Sequence, residues 1–439
     1  MILKRFTDGF LILVFLSWNP EVDSMTGLSL FNRTITIVFL CCYLYQFAFI
    51  PVSWFFRRQQ TESSTVLHKY AVMICARNEE YVIGDLIDSI HAQTYPQDLL
   101  DIYVMADNCT DSTAETARAH GANVYQRYNK EQIGKGYALH DLMQRIRKDR
   151  PEGYDGYFVF DADNVLEKDY VEKMNRSYCE GNEIIASYRA SKNDGYNWIS
   201  AGYGLWFLRE SRYLNLPRML AGSSCFISGT GFFFGRKTAE EMRDWPYHLL
   251  TEDIEFTADM ITRGRKISFC KDAVFYDEQP VTFSQSWHQR LRWCRGYLQV
   301  LMKYGTKLIY GTLRGQFACF DLIVSMMPAY ILSILSLLVN LGSALYNAFT
   351  IGFTGTAGTF LTFALNMYLT LFIVGLITAA TERKQIHTTM MKRILYVFTF
   401  PLFMFTYIPI AFAALFTRCS WKPVKHMFSA KEMYTRNPC

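Results

Sequence analysis

Tyr157-Phe158-Val159-Phe160-Asp161-Ala162-Asp163-Asn164 is a short apolar run that ends in two carboxylates one residue apart. Four large strand-formers in a row predict a buried β-strand. At the C-terminal edge of a parallel sheet, the acids that follow stand at the mouth of a ligand crevice. Asp161 and Asp163 there have the chemistry to hold a hard divalent cation while substrate phosphates complete its shell. A strand followed by an Asx turn is written in the same letters, with Asp and Asn satisfying local backbone groups. The flanking sequence decides between the two.

Working outward, strand and helix signals alternate. Residues 70–76 read as a buried strand that ends in Arg77-Asn78-Glu79-Glu80, and 99–106 as a second that ends in Asp107. A third covers 122–125, and Gly134-Lys135-Gly136 opens a helix over 137–146. This alternation predicts an α/β domain, a parallel sheet with helices on both faces. Glu79, Asp107 and the Asp161/Asp163 pair then collect on one sheet edge. Like charges repel there unless a cation or a hydroxylated ligand is present.

Further along, residues 226–234 read as an apolar strand interrupted by Gly229-Thr230-Gly231, the mark of a bend or of a close backbone approach to a ligand. Thr251-Glu252-Asp253 stands at the start of a helical pattern, where acids also serve as caps and dipole partners. Residues 287–308 form an amphipathic stretch with a basic face, suited to a membrane interface. It contains Gln289, Arg292 and Trp293.

The 439 residues are half hydrophobic and carry a net charge of +5, with no Lys/Arg-rich run, so no nucleic-acid partner is expected. Eleven scattered cysteines without metal spacing read as reduced core residues. A patch at 10–18 is too short to span and reads as an interfacial anchor. Residues 34–56 are long enough for a transmembrane helix, and Arg57-Arg58 after it place the central domain in the cytoplasm. Residues 317–346 and 360–380 are further spans. Residues 394–416, broken by Pro401 and Pro409, have basic residues on both flanks, which favours a re-entrant hairpin over a simple crossing. The predicted units are 1–60 (interfacial segment and span), 61–280 (cytoplasmic domain), 281–315 (interfacial helix), 316–417 (transmembrane region) and 418–439 (basic tail). The tail reads either as a membrane anchor or as a segment that closes over the site.

Taken together, Arg77-Asn78-Glu79, Asp107, Asp161-Ala-Asp163, Gly229-Thr230-Gly231, Thr251-Glu252-Asp253 and Gln289-x-x-Arg292-Trp293 resemble the membrane-embedded family 2 glycosyltransferases. These include cellulose, hyaluronan and chitin synthases and bacterial polysaccharide synthases. The resemblance implies a GT-A-type nucleotide-sugar-binding fold and an inverting transfer from a UDP-sugar, UDP-glucose or UDP-N-acetylglucosamine. It implies that Glu79 and Asp107 bind the uridine and ribose, and that Asp161 and Asp163 hold Mg2+ or Mn2+ beside the diphosphate. Asp253 matches the catalytic base, with Glu252 beside it. Arg292 falls near the diphosphate, and Gln289 and Trp293 flank the acceptor together with Gly229, Thr230 and Gly231. Trp293 also fits a membrane-interface anchor. Lys135, at a helix start, either approaches the diphosphate or is an exposed lysine.

The implied product is a β-linked extracellular or capsular polysaccharide, with a homodimer or an export partner to help translocation. The alternative is a single transfer to a lipid carrier or glycolipid. A transporter would place polar residues within its spans, and a nucleotide-binding scaffold would not need both a metal pair and a base.

Overall fold

A computed structural model describes residues 27–56, 66–326, 328–350 and 354–417, with Cys419, His426 and Phe428. The patch at 10–18, Arg57-Arg58 and most of 418–439 lie outside these residues. Helix α1 (Gly27–Phe55) leads into β1 (Tyr70–Ala76), α2 (Ile83–His91), β2 (Leu100–Asp107), α3 (Thr113–Ala119), β3 (Asn123–Arg127), α4 (Lys135–Asp149) and β4 (Gly156–Asp161). After these come β5 (Val165–Leu166), α5 (Tyr170–Cys179), β6 (Ile184–Ser191), α6 (Trp198–Arg209), α7 (Leu216–Leu220), β7 (Phe232–Gly235), α8 (Arg236–Met242), α9 (Glu252–Thr262) and β8 (Ser268–Asp277). The remaining helices are α10 (Phe283–Leu313), α11 (Phe317–Met326), α12 (Pro328–Thr350), α13 (Thr354–Thr381), α14 (Met390–Phe405) and α15 (Tyr407–Phe416).

All strands join one sheet in the order β3-β2-β1-β4-β7-β6-β8-β5. The first four are parallel, and Val72 pairs with both Ile102 and Phe158. Side chains alternate across the pleat. Ala71 and Met73 therefore join Leu139 and Leu142 of α4 on one face, while Val72 and Ile74 join Ile83, Leu86 and Ile87 of α2 on the other. Burial on both faces is why these strands are apolar throughout.

The parallel sheet expected from sequence is in fact mixed. β7 runs antiparallel to both β4 and β6, and β5 antiparallel to β8. β7 is also shorter than the expected 226–234. Gly229 and Gly231 adopt φ of +85° and +66°, outside the extended region, so the chain loops until Phe232. A Cβ at Gly231 would meet the Phe275 ring at 2.1 Å.

Among the described residues three apolar helical runs are long enough to cross a membrane: Leu30–Phe55, Ala364–Thr381 and Met390–Phe416. The expected span 317–346 holds α11 and α12, and Asp321 lies within α11. It is fully buried and receives two bonds from Arg218, at 2.7 and 2.9 Å, and one from the Tyr45 hydroxyl at 2.7 Å. α11 is thereby fastened to the soluble domain. α12 instead meets α1 through reciprocal amide bonds between Asn32 and Asn340, at 2.9 and 2.8 Å.

Met390–Phe416 departs from the expected hairpin, because Thr406 keeps a helical backbone between α14 and α15. The run is bonded to the rest of the chain at several points along its length. The Lys392 amine and Tyr396 hydroxyl reach the Gly195 carbonyl, each at 3.2 Å. Arg290 donates to the Phe403 carbonyl at 3.2 Å, and Arg295 to that of Ala414 at 3.4 Å. Both ends thus meet the domain.

Candidate functional site

The strand order brings the C-terminal ends of β2, β1 and β4 side by side. Asn78 and Asn108, just beyond β1 and β2, take the left-handed conformation at φ 59° and 53°, a region asparagine tolerates. The Asn78 side chain accepts from the Thr110 N–H at 2.8 Å and so ties the two turns together. Glu79 and Asp107 leave the sheet on this shared rim.

Asp107 is buried and accepts from Arg127 at 2.8 Å; Arg127 also donates to Asp141 at 2.5 Å. Burial raises the Asp107 pKa, and the Arg127 bond opposes that rise. Arg127 was missed in the sequence. Its signal is the register, because Asp107 and Arg127 are cross-strand partners, visible only once β2 and β3 are paired.

Lys135 is not an exposed lysine. Its amine donates to Asp161 at 2.5 Å and to the Gly229 carbonyl at 2.8 Å. A Cβ at Gly136 would lie 2.1 Å from the Tyr247 carbonyl, so that glycine lets the start of α4 settle against the segment leading to Glu252. Burial opposes the lysine's charge, but Asp161 and Glu252 outweigh it and raise its pKa.

The Asp161 N–H donates to Thr230 Oγ1 at 2.8 Å, and Thr230 donates to Asn164 at 2.5 Å. Asn164 also donates to Asp163 at 3.3 Å and to Asp277, at the end of β8, at 3.1 Å. Asp163 is buried and accepts from the Glu278 N–H at 3.0 Å. Asp277 is bonded to Arg189, and burial pushes its pKa up to about 6. Asn164, Arg189, Asp277 and Glu278 complete the rim from a part of the sheet the sequence did not connect to it.

Glu252 and Asp253 occupy the first turn of α9. Burial raises both acids, Glu252 further through the Asp253 charge, against the pull of Lys135 and Arg292. Helix α10 reaches this turn because Gly296 permits it; a Cβ there would lie 2.4 Å from Thr251 Oγ1. Arg292 donates to the Leu250 carbonyl at 3.4 Å. Gln289 has a buried side-chain oxygen with no partner among the described residues. Trp293 is half-buried, edge-on to Tyr203 and Phe207 at 5.9 and 6.3 Å. The structure thus brings Lys135, Asp161, Gly229, Glu252, Asp253 and Arg292 together, with Gln289 and Trp293 within one turn of Arg292 on the same helix.

Two described residues beyond 417, His426 and Phe428, enter the site as well. His426 Nδ1 lies 2.9 and 3.0 Å from the two Glu79 oxygens, and its Nε2 lies 3.8 Å from Asp163. Burial works against its charge, yet Asp163 and Glu79 prevail and push its pKa up to about 10. The Phe428 N–H donates to Glu278 at 3.0 Å, and Lys192 donates to the Phe428 carbonyl at 3.0 Å.

Among the described residues no three ligating side chains form a closed metal cage. The donor set fits an open site. Asp161 is partly exposed and spends one oxygen on Lys135, and Asp163 stands on the same rim. Two carboxylates with substrate oxygens suit a cation such as Mg2+ or Mn2+.

The sequence profile described as "Glycosyltransferase like family 2" matches residues 68–296, just over half of the chain. A beta-monoglucosyldiacylglycerol synthase of Synechocystis sp. is 24% identical over 254 residues, covering 55% of this chain and 51% of the relative. A poly-beta-1,6-N-acetyl-D-glucosamine synthase of Staphylococcus aureus is 24% identical over 237 residues, covering 53% of this chain and 55% of the relative. The chain thus spans about half the length of the curated relatives it matches. The mannosyltransferase PcManGT from Pyrobaculum calidifontis, solved with GDP-Man and Mn2+, superposes with a TM-score of 0.58 at 16% identity, over 89% of this chain and 99% of that one. That likeness extends the shared fold past the soluble domain. The matched profile and the rim of acids, lysine and glycine loop on a GT-A-like α/β fold agree, and the chain belongs to the glycosyltransferase like family 2 and is an enzyme of that family.

Proposed function

We propose that this enzyme transfers a hexosyl or N-acetylhexosaminyl group from a UDP-sugar to a hydroxyl, with inversion and with the help of a divalent cation. The observation that carries this reading is the convergence of Lys135, Asp161 and the Gly229 carbonyl beside the Glu252/Asp253 pair. Glu79 and Asp107 face the nucleoside, Asp107 held in place by Arg127. A cation at Asp161 and Asp163, when bound, offsets the charge of the departing diphosphate. Lys135 and Arg292 add positive charge on the same side. Asp253 takes the acceptor proton as that oxygen bonds to the anomeric carbon and the bond to the diphosphate breaks. The raised pKa of Asp253 makes it a stronger base than an exposed aspartate.

The acceptor is the growing end of a β-linked polysaccharide, which Gln289 and Trp293 would flank; the similarity to the poly-N-acetylglucosamine synthase supports this. A second reading, transfer of one sugar to a lipid, is favoured by the similarity to the monoglucosyldiacylglycerol synthase. The apolar helices support a membrane-anchored enzyme, and Arg57-Arg58 after the first of them support a cytoplasmic central domain. Purified protein in lipid nanodiscs, given UDP-glucose, UDP-N-acetylglucosamine or GDP-mannose with Mg2+ or Mn2+, tests these points. Release of UDP with a long saccharide supports the first reading, and release with a singly glycosylated lipid supports the second. Release from GDP-mannose alone would overturn the donor assignment.

A further inference from the structure

Arg209 closes α6 at a cavity of about 30 Å³ between two of the apolar helices. Gln46 and Ile50 of α1 form one wall, Val374 and Thr378 of α13 the other, with Arg209 and Tyr213 between them. Arg127, Arg189 and Arg218 each bind an aspartate. Among the described residues Arg209 makes one hydrogen bond, to the Gln46 side-chain oxygen at 2.9 Å, and its guanidinium lies 5.2 Å from the Trp206 ring centre. No carboxylate lies within ion-pair distance of it among the described residues. Burial and the nearby Arg218 lower its pKa to about 10, against the opposing pull of its chain neighbour Glu210.

The level of the cavity matters. It lies within the last few turns of α1 and α13, where both helices reach the soluble domain. Trp54, a residue type typical of the headgroup region, donates to the Tyr213 hydroxyl at 3.1 Å, and Tyr213 is bonded to Thr381 at 2.7 Å. We propose that this cavity binds the phosphate group of a membrane lipid through Arg209. A guanidinium offers a planar fork of donors that matches phosphate oxygens. Space for about two water-sized groups admits those oxygens while glycerol and acyl chains stay outside between α1 and α13. Thr378 and Gln46 supply polar edges.

The site is also joined to the catalytic rim. The backbone is π-helical from Glu210 to Asn215, and Glu210 accepts from the Ser228 hydroxyl next to Gly229. Arg209 and Glu210 are therefore neighbours in the chain that serve the cavity and the glycine loop respectively.

Native mass spectrometry of the full-length protein, delipidated and titrated with phosphatidylglycerol, tests the proposal. The wild type should hold one lipid about tenfold more tightly than Arg209→Gln, with Arg209→Lys in between. Thr378→Leu, which fills the cavity and keeps the charge, should also lose the lipid, and it decides the matter if Arg209→Gln does not fold. A polyprenyl phosphate that displaces the lipid assigns the cavity to a lipid carrier; failure to displace it assigns the cavity to a bilayer phospholipid. Equal retention by the wild type and both variants, or equal binding of a phosphate-free glycolipid, overturns the proposal.

Discussion

Asp163 and Asp253 carry different burdens, and substitution separates them. Asp163→Asn removes a ligand charge and should abolish transfer, weakening UDP binding mainly when Mg2+ or Mn2+ is present. Isothermal titration with and without the cation checks this; near-normal turnover with Mn2+ would remove Asp163 from the metal site. In the proposed mechanism Asp253 acts by taking the acceptor proton. Burial raises both members of the Glu252/Asp253 pair, so the ionised base is lost as pH falls through that elevated range. The rate should drop about tenfold per pH unit below an apparent pKa that lies above the ordinary aspartate value of about 3.9. In Glu252→Gln the neighbouring charge disappears and the acid limb should move to lower pH. An unmoved limb would assign it to another group. The pair titrates as a unit, so the limb reports both acids.

At the level of elements, the decisive contact is α10 on the turn before α9. Alanine at Gly296 would ordinarily stabilise a helix by about 1 kcal/mol. Here its Cβ would fall 2.4 Å from the branched Thr251 side chain, so the helix or the turn must shift. Gly296→Ala should leave the circular dichroism spectrum intact while turnover falls about tenfold or more, since small misplacements of reacting groups are costly. Unchanged turnover would mean that the two segments tolerate sliding. A second contact of this order is Arg218 with Asp321, which fixes α11 beneath the domain. Asp321→Asn strands a buried guanidinium and should cost about 3–5 kcal/mol, whereas Arg218→Met with Asp321→Leu should recover most of it. Thermal melting of the single and double variants measures the difference.

On the scale of the whole molecule, residues late in the sequence return to the rim of acids. His426 reaches Glu79, 347 positions earlier, and Phe428 reaches Glu278, 150 positions earlier. Truncation after Thr417 should raise KM for the UDP-sugar severalfold and slow turnover, because part of the wall around the donor is lost. An unchanged KM would leave the tail a basic anchor. The contacts of Met390–Phe416 with the domain at both ends agree with basic residues on both of its flanks. A cysteine at position 431 should therefore resist membrane-impermeant reagents in intact cells.

The sequence by itself determined whatever follows from short-range pattern. Short apolar runs such as Tyr70–Ala76, alternating with helical patterns, read as doubly covered strands, and the acids after them sit beyond the strand ends in a parallel arrangement. Ordered motifs from Glu79 to Trp293 were enough to place the chain among the family 2 glycosyltransferases before any coordinate was known. Tertiary structure decided the pairings. The antiparallel entry of β7 depends on Gly229 and Gly231 leaving the extended region, and no local signal separates a kinked strand from a loop that feeds one. Lys135 was legible as a lysine at a helix start, but its partner Asp161 comes from another strand. Arg127 became visible through its register with Asp107, and the burial of Asp321 is accounted for by Arg218, 103 positions away in the chain. These charges are stable when buried only because a partner distant in sequence arrives beside them, and such proximity is set by folding and not by spacing along the chain.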